Sequence, residues 1–120
     1  MSQVANIDLS AEEPNEEKGY QKINIKGEID RDTIEIFKNK MEEFIKSFNQ
    51  KHLVLNMENL EFINSEGIGF LSDIQNRLST KEKSVAILNA SDRIMDIFQL
   101  VGLDQIITCC SSMDEFEQNI

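Results

Sequence analysis

The chain has 120 residues, with 22 acidic against 12 basic side chains and a formal charge of −10. That length suits one domain spanning residues 1–120. The acidity argues against a nucleic-acid partner, whose phosphates need Lys or Arg to neutralise them, and against an anionic membrane surface. Hydrophobic residues make up 40% of the chain, enough to build a core, but no apolar run approaches the roughly 20 residues that membrane insertion requires. The opening Met1-Ser-Gln-Val-Ala-Asn-Ile-Asp8 lacks the basic and apolar segments of a secretory signal. The only two cysteines, Cys109 and Cys110, are adjacent and make a poor staple, so a reduced, cytoplasmic protein is expected.

Val4, Ile7 and Leu9 supply one face of a short first strand, imperfectly spaced. An acidic loop, Ala11 to Gly19, follows. Tyr20 to Lys26 alternates apolar and polar residues, with Ile23 and Ile25 on one face, the period of a half-buried strand. The two strands pair as a hairpin across the loop, or residues 1–18 form a tail outside the fold.

Gly27-Glu-Ile-Asp30 ends the strand, and Asp30 or Asp32 caps the next element. Phe37, Met41, Phe44, Ile45 and Phe48 form the apolar stripe of a helix from about Thr33 to Asn49. His52 to Met57 is short and almost continuously apolar, as a strand buried on both faces is. Glu58 to Asn64 is expected to be a connection anchored in the core by Phe62 and Ile63. A helix from Ser65 to Ser79 carries Ile68, Leu71, Ile74 and Leu78. Gly67 and Gly69 weaken its first turn, which suggests a close backbone approach there.

Ser84 to Ala90 reads as a buried strand. Ser91 or Asp92 then caps a helix bearing Ile94, Ile97, Phe98 and Val101, and Gly102 stops it. Gln105 to Thr108 is expected to be the last strand. Ser111 or Ser112 caps a final helix with Met113, Phe116 and Ile120. The order is β-β-α-β-α-β-α-β-α, an α/β domain with a mixed, mostly parallel sheet and its first strand antiparallel at one edge. The loops Gly27–Asp32, Glu58–Glu66 and Asn89–Asp92 gather at the carboxyl ends of the parallel strands, where α/β proteins usually bind.

Ser65 stands out on that edge. It has two readings: an exposed hydroxyl at a helix N-terminus, whose free N–H groups would hold an attached phosphate, or a plain N-cap, a task Asn64 performs equally well. A nucleophilic role lacks support, because Ile63 stands where the nucleophile elbow requires Gly. His52, the only histidine, is placed near the opposite edge and reads as a surface residue. No catalytic residue is therefore assigned. One His and a Cys-Cys pair make no zinc pattern, so no metal site is assigned. Gly67-Ile-Gly69 lacks the Walker lysine and the full dinucleotide fingerprint, so no cofactor is assigned. Glu58, Glu61 and Glu66 around the turn either solvate the surface or recognise a basic partner.

Leu53 to Leu71 resembles the signature of the anti-sigma factor antagonist family, the bacterial branch of the STAS domains. The matching residues are Leu55-Asn-Met-Glu-Asn-Leu60, Phe62-Ile63, Asn64-Ser65-Glu66-Gly67 and Ile68-Gly69. Gly27-Glu-Ile-Asp30 resembles the family's Gly-Glu-Leu-Asp, and Ile97-Phe-Gln-Leu-Val-Gly-Leu103 its Leu-Phe-x-x-x-Gly-Leu. The resemblance spans about residues 20–116. It implies a single STAS-like domain with helices packed mainly on one face. It also implies a partner switch: an anti-sigma factor that is an ATP-binding serine kinase modifies Ser65, and a metal-dependent serine phosphatase resets it. The implied partner-binding residues are Asp30, Asn64, Ser65, Glu66, Gly67 and Ile68. Asn64 replaces the family's usual Asp, and Glu66 its Ser or Thr. A stand-alone STAS scaffold or docking subunit of a transport or signalling complex is the alternative.

Overall fold

The computed structural model describes residues 6–120. Two strands open the fold, β1 (Ile7–Ala11) and β2 (Tyr20–Ile29). Helix α1 (Ile34–Ser47), strand β3 (His52–Ile63), helix α2 (Ser65–Ser79), strand β4 (Ser84–Leu88) and helix α3 (Asp92–Val101) follow. A 3₁₀ turn (Leu103–Gln105), strand β5 (Thr108–Cys110) and helix α4 (Met113–Gln118) complete the chain.

The five strands lie in sequence order, β1-β2-β3-β4-β5. β1 runs antiparallel to β2, from Ile7 opposite Gly27 to Ala11 opposite Ile23, and the remaining pairs are parallel. The hairpin reading holds for the described residues; Val4 lies outside them. Right-handed crossovers that always step the same way put every crossover helix on one face. That face carries the main core. Ile23, Ile25 and Ile29 of β2, Leu53, Leu55 and Met57 of β3, and Val85 and Ile87 of β4 meet Phe37, Met41, Leu71, Ile74, Ile94 and Phe98. Among the described residues, α4 covers the opposite face, through a smaller cluster of Val54, Ala86, Leu88, Cys110 and Phe116. A sheet wound in one direction has no point at which its strand order reverses, and so no crevice of the kind that cofactor-binding sheets use.

Several boundaries differ from the sequence reading, each for a local reason. β3 does not stop at Met57 but runs to Ile63. Its second half pairs only with β2, and the register slips between Asn24 and Lys26 and again between Gly27 and Glu28. Each slip inserts one extra residue into β3, so its inward residues Met57, Leu60 and Ile63 fall three apart instead of two. Ile63 is buried as expected, but Phe62 points outward and is 43% exposed.

At the other end of the chain, Gly102 adopts a left-handed φ of 81° and stops α3 as read. The 3₁₀ turn then takes up residues assigned to the last strand, which shifts β5 to Thr108–Cys110. Ile107 turns into the core, while Ile106, Val101 and Ile120 are exposed, contrary to the apolar stripes drawn through Val101 and Ile120. His52 is half-buried instead of lying on the surface. Its Nδ1 is 2.8 Å from the Ser84 hydroxyl, and its ring meets Phe116 edge-on. No helix among the described residues is long and apolar enough to cross a membrane.

Candidate functional site

The parallel pairing of β2 and β3 ends with Ile29 opposite Ile63. The chains leaving both strands are therefore neighbours, and the Asn64 N–H donates to the Ile29 carbonyl at 2.9 Å. This register brings Asp30 alongside the Asn64–Ser65 turn, although 35 residues separate Asp30 from Ser65.

Each side of the turn is closed by its own acceptor. The Asp30 Oδ1 accepts the N–H groups of Asp32 at 2.9 Å and Thr33 at 3.1 Å, which bends the chain into α1. Thr33, the one buried polar side chain among the described residues, donates its hydroxyl to the Glu28 carbonyl at 2.7 Å. On the other side, the Asn64 Oδ1 accepts the Gly67 N–H at 2.9 Å. Asn64 is thus the N-cap of α2, and Ser65 is the first residue of the helix. Among the described residues the Ser65 hydroxyl has no hydrogen-bond partner, and the residue is exposed. The N–H groups of Ser65 and Glu66 precede the first intrahelical bond and face an anion favourably.

The two glycines divide. A Cβ on Gly67 would meet the Ile29 Cγ2 and the Ile63 Cγ1, each at 2.8 Å. Gly67 is what lets the first turn of α2 sit on the ends of β2 and β3. A Cβ on Gly69 would meet nothing within 4 Å. The close approach expected at this pair belongs to Gly67 alone. Ile68 is half-buried against the core beside it.

Glu66 does not stand as an isolated charge. Its Oε2 is 2.6 Å from the Nζ of Lys38 on α1. Lys38 also lies over the Phe70 ring at 6.0 Å, and Phe70 meets Phe37 edge-on at 5.7 Å. The hydrogen bond to Glu66 raises the pKa of the Lys38 ammonium. About one turn further along α1, Arg77 of α2 grips Glu42 with two hydrogen bonds of 3.0 and 2.8 Å and holds its carboxyl below the usual range. Sequence reasoning missed Lys38. It is 28 residues from Glu66, and nothing in either helix alone says which lysine faces the seam.

Among the described residues no catalytic constellation accompanies Ser65. His52 begins β3 while Ser65 follows its end, so the 12-residue strand separates them. A groove of about 830 Å³ is lined by Lys26, Glu28, Glu58, Glu61, Phe62, Ser91 and Arg93 among others. Its hydroxyl, Ser91, is spent capping α3 through the Ile94 N–H. Among the described residues no three or more His, Cys, Asp or Glu side chains are grouped to hold a metal ion. Burial pushes the Cys109 thiol up to about 11, with Asp104 adding to the effect, so it carries little thiolate at neutral pH.

The STAS domain family profile matches residues 14–116. The anti-sigma-B factor antagonist of Staphylococcus aureus is 27% identical over 104 residues, covering 84% of this chain and 92% of that protein. An anti-sigma factor antagonist from Mycobacterium paratuberculosis has a similar structure, with a TM-score of 0.80 at 21% identity over 95% of this chain and 93% of the other. The anti-sigma factor antagonist SpoIIAA in its unphosphorylated form has a TM-score of 0.72 at 21% identity, over 92% of this chain and 95% of that one. SpoIIAA in its phosphorylated form has a TM-score of 0.66 at 20% identity, over 94% of this chain and 100% of the other.

Proposed function

The chain belongs to the STAS domain family, and we propose that within it this protein is an anti-sigma factor antagonist switched by phosphorylation at Ser65. In the unmodified state it docks an anti-sigma factor, itself an ATP-binding serine kinase, through Asp30, Asn64, Ser65, Glu66, Gly67 and Ile68. Docking frees the sigma factor. Phosphate on Ser65 ends the contact, and a metal-dependent serine phosphatase restores it. The reading puts all these partners together in the cytoplasm.

One observation carries the proposal: Asn64, and not Ser65, caps α2, so the Ser65 hydroxyl is exposed and unused by the fold. Two relatives lend support to the reading. The Staphylococcus aureus protein is named as an anti-sigma-B factor antagonist, and SpoIIAA has been solved in a phosphorylated form.

The physics of the switch needs no refolding. A phosphoserine adds about −1.5 to −2 charge and three acceptor oxygens. It would stand at the positive end of α2, where the N–H groups of Ser65 and Glu66 can hold it. A docked partner would meet new bulk and charge at the centre of its footprint, and about 2.8 kcal/mol of lost contact is already roughly 100-fold in affinity.

Affinity capture tests the partner assignment. Unmodified chain, Ser65→Ala and Ser65→Asp serve as baits in a lysate of the source bacterium. The reading predicts that the first two retain an ATP-binding anti-sigma factor and that Ser65→Asp loses it. Equal recovery on all three, or recovery of transporter components instead, would contradict it.

A further inference from the structure

Glu66 sets a fixed negative charge next to Ser65, one that would either weaken kinase recognition or imitate part of a modification that has not occurred. The structure gives that charge a partner. We propose that Lys38 keeps the unmodified Ser65 surface electrically unmodified by cancelling Glu66, so that charge changes there only when a phosphate arrives. The inference rests on the reading of Ser65 as the phosphoacceptor, and it makes Lys38 a specificity-determining residue that no signature motif contains.

The Glu66 side chain is 54% exposed, and the pair is held from the lysine side. The Lys38 Nζ sits 2.6 Å from the Glu66 Oε2, and the lysine side chain is only 29% exposed. Its ammonium also faces the Phe70 ring, which is itself fixed edge-on against Phe37. The same two helices are joined a second time by the two hydrogen bonds from Arg77 to Glu42. Glu35, one turn earlier on α1, is the other carboxylate acting on Lys38, but Glu66 is the one hydrogen-bonded to it. A carboxylate bonded to an ammonium presents a dipole, whose field falls away faster than that of a single charge. Without Lys38, Glu66 would present a full charge one residue from the acceptor. The surface would then step between two negative states, and the contrast a partner reads would shrink.

The test measures the field at Ser65 and needs no kinase. Phosphoserine is installed at position 65 of the full chain by genetic encoding, and its second ionisation, ordinarily near pH 6, is followed by phosphorus NMR at low salt. Lys38→Met keeps the aliphatic stem over Phe70 and removes only the charge. It should raise the phosphate pKa by a few tenths of a pH unit, the order of size that one nearby charge gives in a water-like dielectric. Glu66→Gln alone leaves Lys38 uncompensated and should lower it by a similar amount. The double variant should return close to the parent. An unchanged titration in both single variants, or a double variant that stays displaced, would overturn the proposal. A kinase that never modifies Ser65 would sink the functional reading and leave this titration as it stands.

Discussion

The Oδ1 of Asn64 accepts the Gly67 N–H at 2.9 Å, and this one bond separates the structural residue of the turn from the free one. The fold uses Asn64. Ser65 stands beside it, exposed, as the first residue of α2.

Asn64→Ala should therefore lower the unfolding free energy by about 1 kcal/mol, the usual value of an N-cap. Asn64→Asp should retain it. Ser65→Ala should stay within about 0.5 kcal/mol of the parent, as an exposed substitution without partners does. Urea unfolding of the three variants checks this. A Ser65→Ala loss as large as that of Asn64→Ala would mean that Ser65 shares the capping.

The two glycines of α2 should respond in opposite directions. At Gly67 a methyl group meets Ile29 and Ile63 at 2.8 Å, so Gly67→Ala should destabilise by about 1–3 kcal/mol, as overpacking does. At Gly69 a methyl group meets open space. Gly69→Ala should raise stability by up to about 1 kcal/mol through helix propensity. Thermal unfolding separates the two signs, and a fall in Tm for Gly69→Ala would show a close contact that the structure lacks.

Acid should weaken the fold in two stages. Burial depresses the pKa of His52, assisted by Lys51, so the folded state favours the neutral ring. Its contribution is complete above the unfolded value of about 6.5 and is lost as pH falls through the lower folded value. Glu42, depressed by Arg77, contributes above about pH 4.3 and is lost below it, by less than about 1 kcal/mol because the pair is exposed. Denaturant unfolding across pH 7.5 to about 3 should show both stages. His52→Gln should flatten the first, and Glu42→Gln should reduce the second, to which Glu115 (held low by Ser111) and Glu117 (held low by Lys18 and Tyr20) also contribute. A parent protein whose stability is level from about pH 7 to 5 would contradict the His52 assignment.

The helices were the most legible part of the chain, because Phe37, Met41, Leu71, Ile74, Ile94 and Phe98 recur at helical spacing and are all buried. The site's neighbourhood was legible through topology, since parallel strands deliver Asp30 and Ser65 to one edge. Two things were hidden. The second half of β3 breaks the two-residue alternation with its slips against β2, so Glu58 to Ile63 reads as a loop. The partner of Glu66 depends on how α1 and α2 face each other, which the spacing within either helix does not encode.

Phosphate on Ser65 is proposed to end the docking. The most direct measurement is a calorimetric titration of the anti-sigma factor with unmodified chain and with chain phosphorylated by that kinase, the site located by mass spectrometry. The expected result is a single phosphate on Ser65 and affinity weakened roughly 100-fold or more, that is by at least about 2.8 kcal/mol. A phosphate at another residue, or equal affinity in the two states, would contradict it.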